Sequence, residues 1–117
     1  MSPESDKSIK LTSSNVNVLE AIKKLGKEIL PEGSEITLFG SRARYTARED
    51  SDWDIHILVP GPEKISLALT GDYAVPFLEL GYDLGVDIEP IVHTFSGWEK
   101  RSFLPLYKNI QNDGIKL

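Results

Sequence analysis

The sequence has no cysteine, and only one methionine and two tryptophans, among its 117 residues. The missing thiol excludes disulfide staples, thiolate zinc sites and a cysteine nucleophile. No apolar run approaches the roughly 18 residues that a membrane-spanning helix needs. Basic residues are in the minority: 13 Lys and Arg against 18 Asp and Glu leave a formal net charge of -5. That balance argues against broad nucleic-acid binding through a basic face. The stretch Met1 to Lys10 lacks the apolar core of a signal peptide, so the expected location is cytoplasmic. What is present, 40% hydrophobic and 26% charged residues, describes a single small acidic α/β domain. A chain of this size buries about two thirds of its unfolded surface and needs no covalent staple.

Residues 1–12, rich in Ser, Lys, Asp and Glu, carry little apolar surface and are expected as a loose arm before a domain over 13–117. Val18, Leu19, Ile22, Leu25 and Ile29 recur at helical spacing and predict an amphipathic helix over Asn17–Leu30, stopped by Pro31. Glu35–Phe39 alternates with β-branched and aromatic residues and reads as a strand running into Gly40-Ser41. A second strand is expected over Asp52–Val59, with Trp53, Ile55, Ile57 and Val59 on one face and Asp52, Asp54, His56 and Leu58 on the other. Two helices are expected over Lys64–Leu69 and Tyr73–Leu84, separated by Thr70-Gly71-Asp72. A third strand over Val86–His93 contains Pro90, a mark of an edge or bulge. Short helices around Trp98–Arg101 and Leu104–Gln111 complete the chain, with Gly114 ending the last.

The chemistry is concentrated in Gly40-Ser41-Arg42-Ala43-Arg44 and Ser51-Asp52-Trp53-Asp54-Ile55. Strand alternation puts Asp52 and Asp54 on one face about 6.5 Å apart along the chain. Two like charges so placed call for a cation, and an all-oxygen donor set suits a hard ion such as Mg²⁺. The last strand carries Asp87 and Glu89 on one face; if it lies beside the Asp52 strand, Asp87 completes a site for two metals. Asp87 is favoured because Glu89 adjoins Pro90 near the expected rim. Gly40 lets the backbone approach a phosphate, Ser41 offers hydroxyl and N–H donors, and Arg42 and Arg44 add charge-assisted ones. Phosphate donors beside a metal cluster imply a nucleoside triphosphate.

Competing patterns fail on inspection. Asp50, Asp52 and Asp54 open like an EF-hand loop, but Ile55 stands where its glycine belongs and Gly61 where its glutamate belongs. Neither a Gly-rich dinucleotide fingerprint nor a Walker-type loop is present. His56 shares the aspartate face, yet a plain core or surface histidine is the favoured reading. Trp53 and Trp98 read as core aromatics rather than base-stacking platforms.

The three-part pattern, Gly40-Ser41, Asp52-Trp53-Asp54 and Val86-Asp87-Ile88, resembles the signature of the DNA polymerase beta-like nucleotidyltransferase superfamily, specifically its minimal single-domain branch. The resemblance implies a small mixed β-sheet with helices packed on one side. It also implies two Mg²⁺ ions on Asp52 and Asp54, with Asp87 on the ion that activates the acceptor, and Gly40 and Ser41 on the β and γ phosphates of ATP. Tyr45 departs from the glycine that relatives often carry there. Short members of this branch resemble antitoxins of two-gene modules, whose partner is a helical HEPN-type toxin and whose proposed chemistry is AMP transfer from ATP onto that partner. Two alternatives stand beside this expectation: a non-catalytic nucleotide-binding module that neutralises a partner by binding, and an aminoglycoside-type enzyme whose acceptor pocket is completed by a homo-oligomer.

Overall fold

The computed structural model describes residues 13–44, 46–48 and 50–117, so the expected arm over residues 1–12 and the departure at Tyr45 lie outside the described residues. Helix α1 runs Ser13–Ile29, strand β1 Glu35–Phe39, β2 Trp53–Val59, helix α2 Leu67–Leu84, β3 Ile88–Thr94, α3 Phe95–Glu99, α4 Pro105–Asp113 and β4 Ile115–Lys116. The four strands form one mixed sheet in the order β3-β2-β1-β4. β1 pairs antiparallel with β2 and β4, whereas β2 pairs parallel with β3.

Alternation along β2 divides the sheet as the sequence implies. Trp53, Ile55, Ile57 and Val59 are buried in one core with Ile22 of α1, Leu38 of β1, Phe77 of α2 and Ile88 of β3. Both long helices therefore cover the same face, the expected arrangement. The opposite face carries Asp54, His56 and Leu58 of β2. Half of it is closed by an aromatic stack in which Trp98 sits 4.1 Å from His56, with Tyr107 4.8 Å beyond, centroid to centroid. At the other end of that face Asp54 is only half-buried and Asp52, just before β2, is exposed.

Several elements differ from the sequence expectation for local physical reasons. The two helices expected around Thr70-Gly71-Asp72 are one, Leu67–Leu84, started by Ser66, whose hydroxyl accepts from Leu69 N–H at 3.0 Å. Pro76 lies inside it and forfeits one internal bond, a loss outweighed by burial of Phe77 on the sheet. α1 begins before Asn17, the expected start. β3 starts two residues after Val86, because the Val86 N–H is used by the Gly81 carbonyl at 2.9 Å in closing α2. Its place at the edge of the sheet agrees with Pro90. β4 was not expected: two residues are too few for a periodic signal, yet Ile115 pairs with Leu38, and Lys116 forms a 3.3 Å ion pair with Glu35. No described helix is long and apolar enough to cross a membrane.

Candidate active site

The site begins where β1 ends. Phe39 is the register partner of Asp54, so the chain leaves β1 directly above the β2 carboxylate. Gly40 takes φ +76°, a conformation that side chains rarely adopt, and a Cβ built there would overlap Asp54 Oδ2. The glycine is thus required twice, for the turn and for the close approach to the acid. A single 3₁₀ turn over Gly40–Arg42 follows, in which the Ser41 carbonyl accepts from the N–H groups of Arg44 (3.2 Å) and Thr46 (3.1 Å).

Arg42 turns inward. It is 7% exposed, its Nη2 and Nε donate to the Ser51 carbonyl at 2.9 and 3.3 Å, its Nη1 donates to Asn15 Oδ1 at 3.3 Å, and its guanidinium lies 4.2 Å from the Trp53 ring centroid. Burial weighs against its charge and Asp50 offsets part of that effect. The Arg42 side chain therefore fastens the loop before β2 to α1 and to the core, and does not face outward as a phosphate donor. The loop carries its own tie, since Ser51 Oγ accepts from Arg48 N–H at 2.7 Å. Arg44 is exposed and acts electrostatically on Asp54.

Asp54 is held above the usual carboxylate range, first by burial and then by the neighbouring Asp52 charge, with Arg44 pulling the other way. The two acids therefore form a coupled pair, as their spacing implies. Asp87 reaches the same region by backbone pairing: Trp53 N–H donates to the Asp87 carbonyl at 2.8 Å, and the register pairs Trp53 with Ile88 and Asp54 with Glu89. Asp52 and Asp87 are both exposed. Among the described residues no group of three His, Cys, Asp or Glu side chains is close enough to hold a metal ion. The chemistry of the Asp52–Asp54 pair, two carboxylates and no nitrogen or sulfur donor, fits a hard divalent cation, while Asp87 lies one register step across and is not drawn into a closed cage. Glu89, set aside on sequence grounds, is the register partner of Asp54 and a fourth carboxylate of this region.

Asp87 is positioned by the end of α2. Gly85 adopts a left-handed conformation, φ +73°, and Gly81 presses against β3 so closely that an added Cβ would stand 2.7 Å from the Val86 carbonyl oxygen. Beside them lies a cleft of about 500 Å³, whose lining includes Asp50, Ser51, Leu78, Tyr82, Asp87 and Glu89. Sequence reasoning missed this cleft; the available signal was the pair Gly81 and Gly85 just before the third acid.

His56 is 1% exposed and its Nε2 lies 2.9 Å from His93 Nδ1, a core position rather than one open to ligand. Burial, and then His93, push its pKa down to about 4. Trp53 and Trp98 are buried, in line with the core reading.

Residues 17–117 match the sequence profile of the nucleotidyltransferase domain, and the chain belongs to that family. The fold agrees with two solved structures: a mutant of the toxin-antitoxin MntA-HpeT (TM-score 0.56, 22% identity over 85% of this chain and 70% of that one) and a toxin-antitoxin with AMP-PNP (TM-score 0.60, 23% identity, 83% and 69%). No curated protein matches significantly.

Proposed function

We propose that this domain transfers a nucleoside monophosphate, AMP from ATP, to a hydroxyl group of a partner protein, breaking the α–β phosphoanhydride bond and releasing pyrophosphate, and that it acts in the cytoplasm as the antitoxin of a HEPN-type helical toxin. The observation that carries this reading is the coupled Asp52–Asp54 pair set under Gly40 at the open end of the sheet. Family membership supports the reaction class, and the AMP-PNP in one structural neighbour and the toxin–antitoxin assembly in both support the nucleotide and the partner.

When bound, Mg²⁺ would neutralise triphosphate charge and lower the pKa of the attacking hydroxyl. Asp52 and Asp54 would hold it, and Asp87, exposed just before β3, would be the third carboxylate available to it. The Gly40-Ser41 turn would offer its backbone to the β and γ phosphates. Arg44, exposed and already coupled to Asp54, meets their charge, while Arg42 fixes the loop that delivers Asp52.

A second reading, a module that binds nucleotide and partner without catalysis, is favoured by the open arrangement of Asp87. Incubation with Mg²⁺, a candidate toxin and ATP labelled at the α or the γ phosphate separates the two. Transfer of α label alone supports nucleotidyl transfer. Transfer of γ label indicates a kinase, and tight partner binding without either label leaves the binding module.

A further inference from the structure

α2 is apolar on two sides. Tyr73, Phe77 and Leu80 face the core, and Leu67, Val75, Leu78 and Tyr82 remain exposed, the first and last at 88%. At 3.6 residues per turn these four fall within an arc of about 80° and form a straight stripe about 22 Å long. Four exposed apolar side chains on one line of a helix in a small domain mark a contact surface rather than chance exposure. Asp72, Glu79 and Asp83, all exposed, run as a ridge along one side, and α2 contains no lysine or arginine. At its C-terminal end the stripe enters the active-site region, because Leu78 and Tyr82 also line the cleft that holds Asp50, Asp87 and Glu89.

We infer that this stripe docks an amphipathic helix of the acceptor protein, whose apolar side chains pack on Leu67, Val75, Leu78 and Tyr82 and whose flanking lysines or arginines face the acidic ridge. Naming that protein the acceptor rests on the proposed function; the docking chemistry does not. Charge selects the occupant. A second copy of this chain, itself at -5, would present the same acidic ridge, and an anionic lipid surface would be repelled by it. A straight convex strip of helical anchors is matched by another helix lying alongside. A residue at the end of the docked helix then reaches the cleft beside Asp87, which places an acceptor hydroxyl where the reaction needs it.

The test uses three synthetic 20-residue peptides with the full chain: a helix with a leucine stripe flanked by lysines, its glutamate counterpart, and a scrambled peptide with the lysine charge but no stripe. The lysine-flanked helix should shift the backbone amide signals of α2. Val75→Gln and Leu78→Gln together should weaken its binding at least tenfold, and Glu79→Lys with Asp83→Lys should favour the glutamate peptide instead. Equal binding of the scrambled peptide, or no binding of the striped one, would overturn the inference. So would a dimer in sedimentation that Val75→Gln dissociates, because the occupant is then a second copy. Leu67→Gln and Val75→Gln, both away from the cleft, should leave AMP-PNP binding unchanged. Specific peptide docking by a chain that never transfers α label would sink the proposed function and leave the docking surface standing; transfer to a partner without specific docking would do the reverse.

Discussion

At the scale of single residues, the site is a problem in placing negative charge. Asp54 is half-buried beside Asp52, so replacing it with asparagine removes both a desolvation cost and a repulsion. Asp54→Asn should therefore abolish α-label transfer while leaving the fold intact, with a thermal midpoint in metal-free buffer equal to or above that of the parent. A fall of several degrees would show that the pair is not repulsive. Gly40→Ala carries a different signature. The left-handed backbone costs a β-carbon about 1–2 kcal/mol, and the methyl group displaces the Asp54 carboxylate. Transfer should drop at least a hundredfold, far more than the small loss in denaturant midpoint accounts for. Arg42 shows the limit of reading residues singly: an arginine directly after Gly40-Ser41 looks like a phosphate donor, and only the folded positions of Trp53, Ser51 and Asn15 turn it inward.

Among elements, the contact between α2 and β3 decides where Asp87 stands. Gly81→Ala would press a methyl group against the Val86 carbonyl and the Ile88 N–H, backbone atoms that cannot swing aside. We expect a loss of about 1–3 kcal/mol in urea unfolding, typical of overpacking, with a transfer defect in the folded fraction; a neutral substitution would mean that the helix slides freely over the strand. β1, β2 and the Asp-x-Asp pair were legible because strict alternation is a strong local signal. Pro90 narrowed β3 to an edge or a bulge, and the sheet order places it at the edge. The joined α2 was not, since Thr70-Gly71-Asp72 punctuates the sequence locally while Phe77 and Gly81 decide the matter through distant contacts. Nor was the short β4, whose pairing depends on the chain returning to Leu38.

For the whole molecule, the histidine pair on one face of the sheet makes stability respond to pH in a predictable direction. His56 is buried and His93 is half-buried beside it, both stacked on Trp98, and burial lowers both pKa values, with Arg101 adding to the effect at His93. The unfolded chain takes up protons below about 6.5, where these imidazoles remain neutral in the folded state. Stability is thus fully present above that pH and is lost as pH falls from about 6.5 toward 4. Thermal midpoints across this window should decline for the parent chain and change less for a variant with His56→Phe and His93→Leu. A flat parent profile would contradict the neutral histidine pair.

The antiparallel pairing of β1 with β2 across residues 40–52, and the parallel pairing of β2 with β3 only after residues 60–87, impose an order of assembly. Closing the shorter loop costs less chain entropy. The hairpin that carries Asp52 and Asp54 is therefore laid down first, and Asp87 joins them last, when the crossover helix docks. Pulse-labelled hydrogen exchange during refolding should protect Leu38 and Ile55 before Ile88 and Val92, so that a newly made chain pairs two of its three acids well before the third is in place.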